Sequence, residues 1–314
     1  MRTSLGIALL CLVCTPANAA LLFYDGFDYT AGEKLVPRND TVGTPNPGQL
    51  NVDYSVNWRY AGAGGAANEA PGIGSGTLSY PGLQASTGNS AAHDQTMIGS
   101  ARVQVAPAAI SSGTVYWSGL LRVNDIGTLT SGVNGMLLGG FNNSIGPGTL
   151  PTVVGAVLRI RKDVALSQYY IGTGMNSGTG TGTGGSTNVQ YDNVNGHLAG
   201  ETVLVVGSYE FVPGATNDIA RMWINPDVST FEAASPPAPT LTSAPGAAIA
   251  DTFASLISFN LRNVNTVGNP SVQFDELRVG DDWASVTPVP EPASLGLLLI
   301  AAAVMCRRGR FARA

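Results

Sequence analysis

Cysteine is scarce in this 314-residue sequence, and its three residues lie near the two ends of the chain, at positions 11, 14 and 306. The region between these ends therefore has no disulfide to hold it together and no thiol for a Cys-His catalytic site. Its stability has to come from burial of a hydrophobic core, for which a region of this length suffices.

Basic residues are the second shortage. Five of the 16 Lys and Arg residues lie in the first 19 or the last 26 positions, whereas only one of the 21 Asp and Glu residues does. That leaves 20 acidic and 11 basic residues between the ends, and a net charge near −9. Only two residues of the chain are lysines, Lys34 and Lys162. We therefore expect no nucleic acid partner, because such a partner requires a basic surface.

Histidine is also rare. His93 and His197 are the only two, and neither has a second His or Cys at the spacing of a zinc site. A Ser-His-Asp site that uses either histidine stays open, but no GxSxG pattern between a strand and a helix supports one. We expect His93 and Asp94 to form a solvated pair in a loop.

Amphipathic helices are missing between residues 21 and 288, where short alternating runs separated by turn residues favour strands. The clearest run has Val115, Trp117, Gly119, Leu121 and Val123 on one face. The predicted strands cover residues 102–105, 114–124, 136–141, 153–161, 167–171, 202–211, 219–224, 255–264 and 271–279.

So many strands without helices between them predict an all-β fold of two packed antiparallel sheets, a jelly-roll sandwich. The order of the phrases FYDGF, YWSGLLRVND, LVVGSYEF, IARMWINP and FDELRVGDDW resembles the concanavalin A-like (laminin G-like) sandwich. The resemblance implies that residues 21–25 pair beside residues 271–279.

Several hydrolases of the concanavalin A-like group carry paired acids at alternate positions of one strand, where both reach the sugar. The phrase FDELR offers Asp275 and Glu276 instead at consecutive positions, which point to opposite faces of a regular strand. This departure argues against a retaining glycosidase, and we expect one of the two to be a surface residue and the other to order a neighbouring loop.

Calcium is the candidate cofactor. Asp25 and Asp28 near the first strand, and Asp275, Asp281 and Asp282 near the last, would converge if those strands are neighbours. Carboxylate oxygens are the ligands that Ca²⁺ prefers, but no spacing matches an EF-hand loop. The alternative is that these carboxylates are solvated turn residues.

Aromatic residues offer stacking surfaces for a sugar. Tyr54, Trp58 and Tyr60 are the candidate ligand-binding residues, and Tyr169 with Tyr170 is an alternative pair. Aromatic residues at alternating strand positions are usually part of a core, and we expect this of the tryptophans at positions 117, 223 and 283.

The N-terminus has the three parts of a secretory signal peptide. Arg2 supplies the positive charge, residues 5–13 form an apolar stretch, and Ala17-Asn18-Ala19 is a small-residue cleavage site. We therefore assign residues 1–19 to a signal peptide and expect the mature chain to begin near Ala20. Acylation at Cys11 or Cys14, as in a lipoprotein, is the alternative, although the residues before both are large.

The C-terminus, residues 288–314, combines a Pro-Glu-Pro turn, an apolar run at 293–306 and a tail with four arginines. Pro290 and Pro292 keep Glu291 out of a regular helix. The apolar run has 14 residues, whereas a membrane-spanning helix needs about 20. A buried core helix would fit this length, but the basic tail favours a membrane helix with its end in the cytoplasm.

The order of these three elements resembles the PEP-CTERM sorting signal of Gram-negative bacteria, with Val289, Pro290, Glu291 and Pro292 as the motif. The resemblance implies export across the inner membrane, a transient anchor through residues 293–306, recognition by an exosortase, and delivery to the cell surface or extracellular matrix. Exosortase and the secretion machinery are therefore the implied partners.

Between the two targeting segments, residues 20–287 form the predicted β-sandwich domain. The predicted function is a non-enzymatic module that interacts with glycan or matrix, with polysaccharide as its ligand. A polysaccharide hydrolase or lyase of the concanavalin A-like group is one alternative, and a purely structural matrix protein is another.

Overall fold

In a computed structural model, the described part of the chain comprises residues 20–36, 58–61, 71–93, 99–129, 131–132, 135–145, 151, 153–163, 167–175, 189–243, 251, 253–263 and 270–290. The predicted signal peptide (1–19), Tyr54, Glu291, Pro292 and the apolar run at 293–306 lie outside these residues. Within the described part, no helix is long and apolar enough to cross a membrane.

The protein folds almost entirely into strands. Its one α-helix among the described residues is the single turn α1 (Trp283–Val286). The strands are β1 (Leu21–Asp25), β2 (Arg59–Tyr60), β3 (Gly72–Gly74), β4 (Ser90–His93), β5 (Gly99–Gln104), β6 (Gly113–Asp125), β7 (Met136–Asn142), β8 (Gly155–Lys162), β9 (Gln168–Thr173), β10 (Gln190–Tyr191), β11 (His197–Leu198), β12 (Thr202–Phe211), β13 (Ile219–Ile224), β14 (Leu241–Ser243), β15 (Ser258–Asn263) and β16 (Ser271–Gly280).

These strands form two antiparallel sheets. The first has the order β14-β13-β12-β6-β16-β4-β3, and β1 also pairs with β16. The second has the order β10-β9-β8-β7-β15-β5-β2, and β11 also pairs with β9. The prediction of an all-β sandwich of two antiparallel sheets is therefore confirmed. The predicted pairing of the first strand with the last is confirmed too, since Tyr24 lies opposite Arg278.

The core lies between the two sheets. Val115, Trp117, Leu121 and Val123 of β6 all belong to it, which confirms the predicted apolar face. Trp117 packs on Phe259 of the second sheet, with 5.4 Å between ring centroids. Adjacent aromatic rings at this separation contribute to stability beyond the area that they bury.

A second apolar cluster covers the outer face of the first sheet. Leu120 and Leu204 point away from the main core and pack with Trp223 and Trp283 beneath α1. All three tryptophans expected in the core are buried, as predicted.

His93 is also buried, at 3% exposure, so the expectation of a solvated His93–Asp94 pair was wrong for the histidine. The reason is that β4 pairs with β16 and places His93 opposite Val272 inside the sheet.

A β-bulge interrupts β16 at Glu276. Asp275 lies opposite Leu120 and Arg278 opposite Ser118, so β16 has one residue more than β6 across this stretch. Glu276 takes the extra position with a φ of +54°, in the left-handed region that is uncommon for a residue with a side chain. The bulge changes which way the acidic side chains point.

Candidate functional site

Trp58 is a core residue and not part of a sugar-binding surface. It is fully buried, its ring stacks on Phe27 at 6.0 Å, and its Nε1 donates to Asp25 Oδ2 at 2.6 Å. The prediction that Trp58 binds a ligand is therefore corrected. The buried carboxylate of Asp25 explains the position, because the indole N–H of a buried tryptophan needs an acceptor.

Asp25 organises the start of the fold. Its two carboxylate oxygens accept from Phe27 N at 2.8 Å, Tyr29 Oη at 2.7 Å and Trp58 Nε1, while Asp25 is only 1% exposed. Three donors around one buried carboxylate satisfy its acceptor oxygens and fix the turn after β1.

The calcium candidates are not brought together. Asp28 is exposed, Asp281 accepts from the backbone N of Ala20 at 3.0 Å, and Asp282 caps α1 by accepting from Ser285 N. Although β1 and β16 are neighbours, Asp281 and Asp282 each accept from a backbone N instead of sharing a site. No group of three or more His, Cys, Asp or Glu side chains that could hold a metal ion occurs in the ranges the structure describes.

Asp275 and Glu276 point to the same side of the first sheet, which corrects the prediction of opposite faces. Phe274 and Leu277 both belong to the core, so the two residues between them face outward. The extra residue of the bulge breaks the alternation of a regular strand. Both acids are buried, at 0% and 5% exposure, so neither is the surface residue expected.

Asp275 orders the loop after β3, as expected for one of the two acids. It accepts from Thr77 Oγ1 and Leu78 N, both at 2.7 Å, and from Glu276 N at 2.8 Å. Burial raises the pKa of the Asp275 carboxyl to about 7, and the charge of Glu276 acts in the same direction.

Glu276, the neighbour of Asp275, accepts hydrogen bonds from a tyrosine and an arginine. Tyr24 Oη donates to Glu276 Oε1 at 3.0 Å, and Arg278 Nη2 donates to Glu276 Oε2 at 3.0 Å. Burial raises the pKa of Glu276, although Arg278 opposes this, and raises that of Tyr24 to about 12. Glu276 and Arg278 also line a small pocket with Gln84 and Ser118 on the outer face of the first sheet. This acid pair is the first candidate site.

The other aromatic candidates differ in exposure. Tyr169 is fully buried and packs on His197 at 5.6 Å, so it is a core residue. Tyr170 is half-buried, and its Oη donates to Asp163 Oδ2 at 2.8 Å. Tyr60 lies in β2, where its backbone alone is described. Of the candidate tyrosines whose side chains the structure describes, Tyr170 is the one that presents ring surface.

Arginine side chains cluster on the outer face of the second sheet, a feature that sequence reasoning missed. Each follows or precedes residues of the inter-sheet core on its strand, so alternation directs it outward. We call this surface the arginine face, and it contains Arg59, Arg102, Arg159, Arg161 and Arg262. Five of the 11 basic residues between the two predicted targeting segments therefore lie on one sheet face.

The strand register fixes the spacing of this cluster. Arg59 lies directly opposite Arg102 across β2 and β5, and Arg102 lies opposite Asn260 of β15. Arg159 and Arg161 are two residues apart on β8 and so point to the same side. The sequence does indicate part of this cluster, because the alternation RIR at residues 159–161 is typical of one polar face of a strand.

Burial and mutual repulsion act on these charges. Burial lowers the pKa of Arg262 to about 10, and the nearby charge of Arg159 lowers it further. Burial also lowers the pKa of Arg102 and Arg159. Arg262 and Arg159 are therefore close enough to interact electrostatically, and both are shielded from solvent.

Loop carbonyls cover part of the arginine face. Arg262 Nη1 donates to Pro151 O at 3.0 Å, and Arg59 Nη1 donates to Ile145 O at 3.3 Å. Asn260 is fully buried beside them, and neither its amide N nor its amide O has a partner among the residues that the structure describes. These carbonyls satisfy one donor of each of the two arginines that they contact.

The accessible end of the arginine face lies at β8 and β9. The guanidinium of Arg161 lies 4.5 Å from the ring centroid of Tyr191 and 5.8 Å from that of Tyr170, and Arg161 Nη2 donates to Asn193 Oδ1. Arg161 and Tyr170 are both half-buried. An arginine between two tyrosines offers a ring surface and a bidentate donor at one place.

The predicted sorting motif begins directly at the edge of the sandwich. Gln84 N donates to Pro288 O at 2.9 Å, and Val289 N donates to Glu232 Oε1 at 3.1 Å. Val289 and Pro290 are described, whereas the rest of the motif is not. The predicted recognition segment therefore follows the folded body without a described linker.

No family model matches the sequence, and no curated protein matches it. Similar solved structures include domain 4 of AbnA, an extracellular GH43 arabinanase from Geobacillus stearothermophilus, in complex with arabinotriose. It is 11% identical, with a TM-score of 0.42, over 86% of this chain and 99% of that domain.

Two further similar structures are the PL7 alginate lyase AlyA1 from Zobellia galactanivorans and the carbohydrate recognition domain of Emp47p. The lyase is 13% identical, with a TM-score of 0.38, over 71% of this chain and 94% of that chain. The recognition domain is 7% identical, with a TM-score of 0.39, over 83% and 97%. At such identities, the function of this chain has to be argued from its own residues.

Proposed function

We propose that the chain is an exported, non-enzymatic β-sandwich protein that binds glycan on its arginine face. The observation that supports this most is the half-buried group of Arg161 and Tyr170 at the open end of a row of buried arginines. Ring faces stack on sugars, and guanidinium donors bond to their oxygens, so the group combines both elements of glycan recognition.

Export is the second part of the proposal. It rests on the signal peptide at residues 1–19 and on the sequence order of Pro-Glu-Pro motif, apolar run and basic tail at residues 288–314. We propose that an exosortase recognises Val289-Pro290-Glu291-Pro292 and that the protein ends at the cell surface or in the matrix. Replacing Glu291 by Ala and fractionating cells tests this, and unchanged processing would contradict it.

A glycan array tests the binding function. The full-length chain, purified in mild detergent, should retain at least one glycan, and Arg161→Gln should weaken that binding by about tenfold, because a charge-assisted hydrogen bond is lost. Arg221→Gln is the matched control, since Arg221 is a half-buried arginine on the first sheet that pairs with Glu210. A chain that retains no glycan would favour a purely structural matrix protein.

A polysaccharide hydrolase or lyase is the second candidate, and one observation favours it. The bulge brings Asp275 and Glu276 to the same face, and burial raises the pKa of both carboxyls, as general acid catalysis near neutral pH requires. Against this, all three described donors around Asp275 belong to the fold. Cleavage of a bacterial or algal polysaccharide that disappears in Glu276→Gln would establish the enzyme and overturn the non-enzymatic proposal.

A further inference from the structure

We infer that the folded body holds the first residue of the predicted sorting motif, Val289, against two of its loops, and that these contacts have to open before a processing enzyme can take up that residue. The inference rests on the export part of the proposed function, in which an exosortase recognises residues 289–292. It adds a regulatory contact, because the folded sandwich then limits how often the motif is available.

The stem of the motif, Thr287-Pro288-Val289, lies between two loops of the body. On one side, Gln84 N donates to Pro288 O at 2.9 Å. On the other side, Glu232 N donates to Thr287 Oγ1 at 3.2 Å, and Glu232 Oε1 accepts from Val289 N at 3.1 Å. We call these three contacts the stem clasp. They engage both the carbonyl before Val289 and the amide of Val289 itself.

Burial of the stem decreases toward the motif. Thr287 is fully buried, whereas Val289 is half-buried and packs against the apolar cluster on the outer face of the first sheet. Pro290 is exposed. An enzyme that binds an extended segment needs access to its backbone groups and side chains. Both the amide and the side chain of Val289 are engaged by the body, so a partner that binds Val289 has to displace these contacts.

The loop that contacts the stem has an uncommon backbone. Glu232 has a φ of +55°, in the left-handed region. It follows a single 3-10 turn, Val228–Thr230, which Asp227 caps. Trp283 Nε1 donates to Thr230 O at 2.7 Å and so connects this turn to α1. A residue keeps such a backbone where the surrounding contacts impose it, so the stem clasp is a property of the folded body and not of the stem alone.

The stem clasp is weak enough to open. Two hydrogen bonds have to break to release Val289, one at Pro288 O and one at Val289 N, and both involve exposed residues of the body, Gln84 and Glu232. One hydrogen bond contributes a factor of about two to ten to such an equilibrium. The stem is then held in most molecules without being locked, and the rate of processing should follow the open fraction.

Hydrogen exchange at the amide of Val289 measures the stem clasp directly. Because proline has no N–H, Val289 carries the only backbone amide between Thr287 and Glu291. The assay is NMR of the full-length chain, labelled with 15N-valine, in mild detergent. We expect this amide to exchange about two- to tenfold faster in Glu232→Ala, which lacks the acceptor, and close to the wild-type rate in Glu232→Gln, which keeps an acceptor oxygen.

Processing in cells tests the consequence. Pulse-chase labelling follows the conversion of precursor to processed chain for the wild type, Glu232→Ala, Glu232→Gln and the control Glu33→Ala, each checked for its fold by circular dichroism. Glu33 is an exposed glutamate outside the stem clasp, in the loop after β1. We expect Glu232→Ala to be processed about two- to tenfold faster than the wild type, and the other two variants at the wild-type rate.

The failures of the inference and of the proposed function are distinguishable. Equal or slower processing of Glu232→Ala, together with faster exchange at Val289, would overturn the stem clasp as a restraint on processing. Equal exchange at Val289 in the wild type and Glu232→Ala would overturn the stem clasp itself. Processing of Glu291→Ala at the wild-type rate would overturn exosortase recognition, and with it the regulatory role of these contacts.

Discussion

Replacing Asp25 by Ala tests whether this carboxylate holds the start of the fold together. The carboxylate is 1% exposed and accepts hydrogen bonds from three donors, Phe27 N, Tyr29 Oη and Trp58 Nε1. Each buried donor that loses its acceptor costs about 1–3 kcal/mol. Because rearrangement and water recover part of this, we expect the free energy of unfolding to fall by about 3–5 kcal/mol.

Urea denaturation followed by circular dichroism measures this loss, with the full-length chain in mild detergent. Asp28→Ala is the control, since Asp28 is exposed and its change should stay within about 0.5 kcal/mol. A loss of less than about 1 kcal/mol for Asp25→Ala would refute the role of the carboxylate. Calcium that stabilises the wild type but not Asp25→Ala would instead make Asp25 a metal ligand.

Three further predictions concern the first sheet. Burial raises the pKa of Asp275 to about 7, so the native state holds a proton that the unfolded chain has released, and stability should fall as pH rises from about 4 to about 7. Asp275→Asn should lose this dependence, which urea titrations at pH 5 and pH 8 would detect. Gly119→Ala should lower the free energy of unfolding by about 1–3 kcal/mol, because its Cβ would lie 2.2 Å from the ring of Phe274, and an unchanged thermal midpoint would contradict this packing. In a chain that begins at Ala20, the new ammonium should pair with Asp281, so Asp281→Asn should cost up to about 1 kcal/mol there and less in the unprocessed chain, and equal losses would contradict the pairing.

Regular strands were predictable because alternation alone determines them. The bounds of β12 and β13 match the predicted residues 202–211 and 219–224, and β1 pairs with β16 as the resemblance implied. β12 and β13 have apolar residues at almost every second position, and no register shift interrupts the pairing between them. Local pattern and tertiary structure agree there.

The acid pair was not predictable in this way. A bulge is invisible to alternation, and Glu276 occupies a left-handed position that sequence pattern assigns to glycine. The bulge alone places Asp275 and Glu276 on the same face. The prediction that Trp58 binds a ligand was wrong for a related reason. Its partner Asp25 is distant in sequence, and only the folded chain brings the two together.

The arginine face was readable in part. Arg159 and Arg161 alternate with Leu158 and Ile160, which already indicates a polar outer face on β8. What the sequence does not contain is the strand order that brings Arg262 to the same surface. The net charge near −9 of the region between the ends concealed the cluster, because it averages over both sheets.

Hydrogen–deuterium exchange of the full-length chain, with and without a glycan that it retains on the array, tests the central claim most directly. We expect slower exchange in β8 and β9 around Arg161 and Tyr170, and no change in β12 and β13 of the first sheet. Protection confined to β16 and the loop at Thr77 and Leu78, around the acid pair, would contradict the arginine face as the binding site.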